Sequence, residues 1–220
     1  MTAMRLAALP PRIAVLGAGH SGPVIARVAL DAGYPVSLAA SGDPAEIELI
    51  AQVLVPGAKP RWAADAAAEA DVVVLAIPLH KFTTLDPTLV AGKIVIDVMN
   101  YWPAVDGVVP MFDDRQRGSS EIVQRRLASS TVVKALNHVG YHELDDQRRP
   151  PGSPDRLALG VAADEPRALG VVADLVERIG YDAVRLDRLS AGRLLEPGGP
   201  VFGVPLQFPE FESALHARAA

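Results

Sequence analysis

The chain contains no cysteine. That excludes a disulfide framework, thiolate-bound zinc, a thiol nucleophile and an iron–sulfur cluster. Any redox chemistry must therefore belong to bound cofactors. Basic residues are outnumbered, 21 Lys+Arg against 26 Asp+Glu for a net charge of −5, and they form no run. A nucleic-acid binder carries a clustered Lys/Arg footprint, so no nucleic-acid partner is expected. No apolar run, Val72 to Pro78 included, approaches the ~18–20 residues of a membrane span. The N-terminus, Met1 to Pro10, lacks the apolar core of ~7–15 residues that a signal peptide needs. Residues 1–11 read as a disordered leader, with Met4 an equally good start, and the protein as cytoplasmic. There is no Walker A pattern, no Gly-x-Ser-x-Gly elbow and no fixed-period repeat.

What is there suits one large domain, or one domain plus a small appendage: 220 residues, 50% hydrophobic. Arg12–Leu16 is a short apolar run ending at Gly17. Val24, Ile25, Val28 and Ala29 then recur at helical spacing until Gly33. Pro35–Ala39 is a second strand. Asp43, Pro44 and Glu46 read as N-cap, first helical position and capping box of a second helix. A weak strand at Lys59–Trp62, a helix at Ala63–Ala70 and strands at Asp71–Ile77 and Lys93–Val98 follow. This alternation implies parallel βαβ units.

The second half is less regular. Asp106–Gly118 reads as a loop, Ser119–Ala128 as a capped helix and Thr131–Leu136 as a strand. His142–Asp155 is polar and Pro-rich, a surface loop or a connection between lobes. Arg156–Ala162, Glu165–Ile179 and Asp182–Leu186 form another strand–helix–strand unit. Ser190–Glu196 reads as a short helix, and the prolines from Pro197 to Pro209 as breakers of regular structure. The expected architecture is α/β, a Rossmann-type doubly wound, mainly parallel sheet over residues 12–136, with a small C-terminal α/β lobe and tail over 137–220.

The strongest chemical signal is Gly17-Ala18-Gly19-His20-Ser21-Gly22. Gly17 permits the tight turn out of the strand, Gly19 lets a pyrophosphate approach the backbone, and Gly22 lets the helix pack close to the sheet. The helix N-terminus offers free N–H groups and roughly half a positive charge to phosphates. Alone the pattern is weak, but here it joins a strand to a helix at the first βα turn. After the second strand, where NAD proteins usually hold the ribose with Asp or Glu, this chain reads Ala39-Ala40-Ser41-Gly42. The missing acid favours NADP over NAD, although no Arg is present to clamp the 2′-phosphate.

Open α/β sheets bind ligands beyond the carboxyl ends of their strands. That rule selects Ile77-Pro78-Leu79-His80, Met99-Asn100-Tyr101-Trp102 and Asn137-His138-Val139-Gly140 to line one cleft with the glycine loop. His20 is a candidate phosphate or nicotinamide contact, or equally a half-exposed helix-start residue. His80 is a candidate at the cleft edge. His138 and His142 stand four apart, but no third ligand is evident and no metal is expected. Nothing suggests a protein nucleophile, so the bound nicotinamide carries a hydride-transfer chemistry.

Several stretches together resemble the coenzyme F420-dependent NADP oxidoreductases. They are the Gly17–Gly22 loop, Ala70-Asp71-Val72-Val73-Val74-Leu75-Ala76-Ile77-Pro78, Ser119-Ser120-Glu121-Ile122-Val123, Val132-Val133-Lys134-Ala135-Leu136-Asn137 and Leu189-Ser190-Ala191-Gly192-Arg193-Leu194-Leu195-Glu196. The resemblance implies hydride exchange between NADP(H) and a deazaflavin in the cleft, and often a homodimer. It places phosphate contacts on Gly17 to Gly22 and 2′-phosphate contacts on Ala40, Ser41 and Gly42. It places the nicotinamide on Ile77, Pro78 and Met99, and the deazaflavin on Asn137, His138 and Val139. His80 and Asn100 join the cofactor-binding set as neighbours of those positions. The chain departs from archaeal members in having no basic residue after the second strand, and Asn137-His138-Val139 in place of His-Thr-Ile.

The acceptor accordingly stays open between an F420-type deazaflavin, a flavin and a small carbonyl compound. Two other readings compete. A β-hydroxyacid-dehydrogenase-like or imine-reducing protein would add a large helical domain with a catalytic Lys or other acid, yet no Lys follows Lys134. A non-catalytic nucleotide sensor would bind NADPH without turnover.

Overall fold

The computed structural model describes residues 9–114 and 116–217. The first eight residues of the expected leader lie outside these. Eight strands form one sheet: β1 Ile13–Leu16, β2 Val36–Ala39, β3 Lys59–Pro60, β4 Val72–Leu75, β5 Ile94–Asp97, β6 Thr131–Ala135, β7 Ala158–Ala162 and β8 Asp182–Leu186. Their order is β3-β2-β1-β4-β5-β6-β7-β8. Every pairing is parallel except β6 with β7. The first six strands thus have the Rossmann order, with the switch point between β1 and β4.

Alternation along the strands explains why both faces are covered. Ile13 and Val15 of β1, with Val72 and Val74 of β4, join one apolar cluster. Ala14 and Leu16, with Val73 and Leu75, join the other. Strands buried on both faces must read as continuous apolar runs, as these do. Helices α1 Ser21–Asp31, α2 Glu48–Leu54, α7 Tyr141–Asp146 and α8 Pro166–Arg178 accompany the first cluster. Helices α3 Ala63–Glu69, α4 Leu79–Phe82 and α6 Ser119–Arg126 accompany the second. The short α5, Pro103–Asp106, follows β5.

Several expectations need correction. Asp43 does cap, accepting from the Ala45 N–H at 2.9 Å, but it opens a 3-10 turn over Pro44–Ile47 rather than an α-helix. The polar segment after Gly140 is not all loop, because Tyr141–Asp146 is helical. Its Leu144 is buried, and Asp145 forms ion pairs with Arg27 of α1 and with Arg148. The proline-rich end does not stay irregular either. Helix α9, Phe208–His216, takes Pro209 into its first turn, where a missing N–H costs nothing.

After Leu136 the chain continues in the one sheet. β7 pairs with β6, and β8 extends the same sheet. A third apolar cluster sits on this extension, where Phe211 and Leu215 of α9 meet Ala158, Val184, Leu195 and Val201. Phe211 is completely buried. Phe211→Ala should therefore cost about 3–5 kcal/mol. Denaturant unfolding should show one transition at lower midpoint; an unchanged midpoint would mean that α9 is not docked on the sheet.

Candidate functional site

Strand register decides which loops meet. Leu16 stands level with Ala39 and Leu75, Leu75 with Asp97, and Asp97 with Lys134. The residues that follow, from the glycine loop to Asn137, therefore emerge along one edge. Two cavities open there. The first, about 730 Å³, runs from Gly17–Ser21 past Ala40 and Ser41 to Ile77, Pro78 and Met99. The second, about 510 Å³, is lined by Asn100, Trp102 and Leu136–Tyr141, with Tyr181 and the Phe202–Pro205 segment opposite. Ser21 and Val98 line both, so the two form one cleft with a junction at those residues.

The glycine loop has the shape that a pyrophosphate requires. Gly17 turns out of β1 at φ +127°, and a Cβ there would overlap the Ala76 carbonyl. A Cβ on Gly22 would overlap the Gly17 carbonyl, so α1 approaches the loop only because Gly22 has none. Above Gly19, by contrast, nothing lies within 4 Å. That empty space over bare backbone at a helix start is where a phosphate fits.

The wall between the cavities hangs on a buried ion pair. Asp97 ends β5 and Lys134 lies on β6, both completely buried, with Nζ 3.3 Å from Oδ2. Lys134 also donates to the Met99 carbonyl and to Ser119 Oγ. Asp97 in turn accepts from the Met99 N–H at 2.9 Å and from Ser120 Oγ at 2.6 Å. Met99 is thus held at both its N–H and its C=O. Ser119 passes the network on to Glu196 by donating from both N and Oγ, at 2.7 and 2.8 Å. The 3-10 segment Leu189–Leu195 presses on this pair, with Gly192 so close to Lys134 that a Cβ would crowd Cβ and Cγ at 3.1 Å.

The floor of the second cavity is a chain of amides and an imidazole. Leu136 takes φ +60°, an unusual value for a side-chain-bearing residue. Asn137 Nδ2 then donates to Asn100 Oδ1 at 2.9 Å and to the Leu195 carbonyl at 2.6 Å, while Asn100 Nδ2 donates to the Asn137 carbonyl at 2.7 Å. His138 Nε2 lies 3.2 Å from the Gly160 N–H and must accept from it. The ring proton is therefore on Nδ1, which faces Asn137 Oδ1 at 3.5 Å. Burial, with the Lys134 charge adding to it, pushes the His138 pKa down to about 3. His138 is a neutral strut here, not an acid. Tyr181 donates to the Glu143 and Leu144 carbonyls, and burial raises its pKa.

Most expected site residues come together. Gly17, Ala18, Gly19, His20, Ser21, Ala40, Ser41, Ile77, Pro78 and Met99 line the first cavity. Asn137, His138 and Val139 line the second. Four placements differ. Gly22 lies outside the lining, buried against the Gly17 carbonyl. Asn100 faces the second cavity, because the Asn137 clamp turns it away from the first. His80 is exposed and lines neither cavity, whereas its equally exposed neighbour Lys81 lines the first. Gly42 lies outside the lining, beneath the folded-back Glu46 carboxylate. Sequence reasoning missed Lys81, Thr84 and Leu85 in the first cavity, and Tyr141, Tyr181 and Phe202 in the second. His20 and Tyr141 stack across the junction, 5.5 Å apart at 19°. Tyr101, also expected in the cleft, lines neither cavity: its hydroxyl accepts from the Val109 N–H and its ring packs on Phe112. Among the described residues, no group of three His, Cys, Asp or Glu side chains gathers as a metal site. No helix of these residues is long and apolar enough to cross a membrane.

Residues 12–101 match the family described as NADP oxidoreductase, coenzyme F420-dependent. The match thus spans β1 to β5 and the first cavity. Similar solved structures extend further. A hypothetical protein of Sinorhizobium meliloti is 27% identical over 90% of this chain and 95% of its own, with a TM-score of 0.75. A protein of Arthrobacter sp. FB24, provisionally named an F420-dependent NADP-reductase, is 26% identical over 83% of this chain and 87% of its own, TM-score 0.68. The Pseudomonas imine reductase shares the fold at 18% identity and TM-score 0.54; this chain covers 57% of its length. Among curated proteins none matches.

Two outcomes follow from the buried groups. Lys134→Met leaves Asp97 buried without its cation and should cost about 3 kcal/mol or more. Adding Asp97→Asn should recover part of that loss; additive losses in denaturant titrations would show that the pair is not coupled. The second outcome concerns pH. His138 has a folded pKa far below the ordinary 6.5, so the unfolded chain takes up a proton that the native ring refuses. Stability is then complete above pH 6.5 and falls towards pH 3. From pH 7 to 5 the wild type should lose about 2 kcal/mol more than His138→Gln. Equal losses would show that the ring is not held neutral.

Proposed function

We propose that this protein is an NAD(P)H-dependent reductase with the dinucleotide in the first cavity and a hydride acceptor in the second. One observation carries the reading: the two cavities meet at Ser21 and Val98, immediately beside the glycine loop. The residues fit the cofactor. Gly17, Gly19 and Ser21 would hold the pyrophosphate, Ala40 and Ser41 the adenosine ribose, and Ile77, Pro78 and Met99 the nicotinamide. When bound, that ring supplies a hydride. The protein's own part is orientation and exclusion of water. Met99, held at both backbone groups, fixes the nicotinamide wall. The Asn100–Asn137 pair and neutral His138 give the acceptor a floor that carries no charge.

The acceptor we favour is a flat ring, a deazaflavin of the F420 type or a flavin. Trp102 and Phe202, edge to face at 6.0 Å, flank the second cavity with Val204 and Pro205, an apolar wall of the kind a ring plane needs. The family match and the Arthrobacter relative support this choice. A small carbonyl or imine acceptor is the second reading, supported by the shared fold of the Mycobacterium tuberculosis 3-hydroxyisobutyrate dehydrogenase, at 18% identity. This chain covers 57% of that protein's length.

The test begins with NADPH binding. A methyl group on Gly19 meets nothing within 4 Å in the protein, so Gly19→Ala should fold normally. It should nevertheless bind NADPH about ten-fold or more weakly, because the Cβ takes the pyrophosphate's place. Unchanged affinity would show that the loop does not hold the cofactor. Turnover is then read by mixing wild type and NADPH with oxidised deazaflavin, FMN or small ketones. Loss of the deazaflavin or flavin absorbance is expected. Tight NADPH binding with no acceptor reduced would leave a nucleotide sensor instead.

A further inference from the structure

We infer that Lys81 is the residue that reads the cofactor's 2′-phosphate, so that this chain selects NADP(H) from the wall opposite the second strand. The inference rests on the first cavity being the dinucleotide site. A dianionic phosphate in a Rossmann site needs a cation, usually an Arg or Lys just after β2. Here that loop offers only the Ser41 hydroxyl to the cavity. The nearby cation Arg61, just beyond β3, is paired with Glu69 at 3.2 Å.

Among the residues lining the first cavity, Lys81 is the sole Lys or Arg. β4 is the neighbour of β1 on the side away from β2. The segment after β4 therefore flanks the glycine loop from the opposite wall. That segment is anchored, which leaves its lysine poised rather than adrift. Phe82 is completely buried. Arg126 donates to the carbonyls of Thr83 and Leu85 at 2.8 and 3.0 Å. Lys81 itself is exposed and, among the described residues, its ammonium has no carboxylate partner.

The surrounding anions do not take its place. Asp86 lines the same cavity, but its Oδ1 accepts from the Thr88 N–H at 2.9 Å and caps the following turn. The Glu46 carboxylate lies against Gly42, and neither residue lines the cavity. With no carboxylate lining the cavity after β2 and Asp86 engaged in capping, the exposed Lys81 ammonium is the lining group that can pair with a phosphorylated ribose.

The experiment is a fluorescence titration of NADPH and NADH, with adenosine 2′,5′-bisphosphate and ADP as competitors. Lys81→Ala should weaken NADPH and the 2′,5′-bisphosphate about ten-fold or more, leave NADH within about two-fold, and fold as the wild type does. Lys81→Glu should invert the preference. Rising salt should narrow the wild-type gap between NADPH and NADH. A Lys81→Ala variant with an unchanged NADPH-to-NADH ratio overturns the inference, as does a wild type that prefers NADH. If Gly19→Ala abolishes binding of both nucleotides in the same titrations, the cavity reading survives that result. If the wild type binds neither nucleotide, both fall together.

Discussion

A lysine ammonium sealed from water is costly unless every donor finds an acceptor. Lys134 meets that requirement at one place only, between Asp97, the Met99 carbonyl and Ser119. Much of the cleft is arranged around this need. Asp97 has to end β5 level with Lys134, which sets the height of the Met99–Asn100 turn. Ser119 and Ser120 bring the start of α6 to the pair, and Glu196 binds the same helix start from the far end of the chain. The segment around Gly192 can then lie directly on the lysine stem. A purely apolar contact would have left these elements free to slide; a directional cluster gives them one register.

The cleft divides its work by polarity. The first cavity, proposed for the nucleotide, offers backbone N–H groups, small side chains and open space over Gly19. The second, proposed for the acceptor, is lined by aromatic rings, paired amides and an uncharged imidazole. Several of its polar groups are spent on each other. His20 and Tyr141 stack where the cavities meet, tying the glycine loop to α7, and the Arg27–Asp145 ion pair ties α1 to α7 again further along both helices. The proposed hydride transfer asks for two partners face to face in a dry place, and these contacts tie together the walls of the cleft.

Local patterns were the readable part. Gly17-x-Gly19-x-x-Gly22 between a strand and a helix announces its own geometry, since each glycine answers to backbone sterics within a few residues. Strands such as β1 and β4 were legible for a similar reason, because burial on both faces makes them continuous apolar runs. Helix α7 was not, since its apolar contribution is the single buried Leu144 and its neighbours are charged. Helix α9 hid behind prolines, of which Pro209 occupies its first turn. His80 and Lys81 are adjacent in sequence, and which of them faces the cavity depends on a four-residue helix whose orientation is set by Phe82 and Arg126.

The absence of cysteine directed the redox question to a cofactor, and the amino-acid sequence by itself determined the Rossmann-type fold, the glycine loop and the edge of the sheet along which the cavities open. These follow from short-range sterics and from strand alternation. The tertiary structure alone decided that β7 and β8 extend the first sheet, and that Lys134, Asp97 and Glu196 form one network. It also decided that Asn100 lines the second cavity and that Lys81, after β4, lines the first. Each of these joins residues far apart in the chain, where contact depends on register and packing that no local pattern encodes.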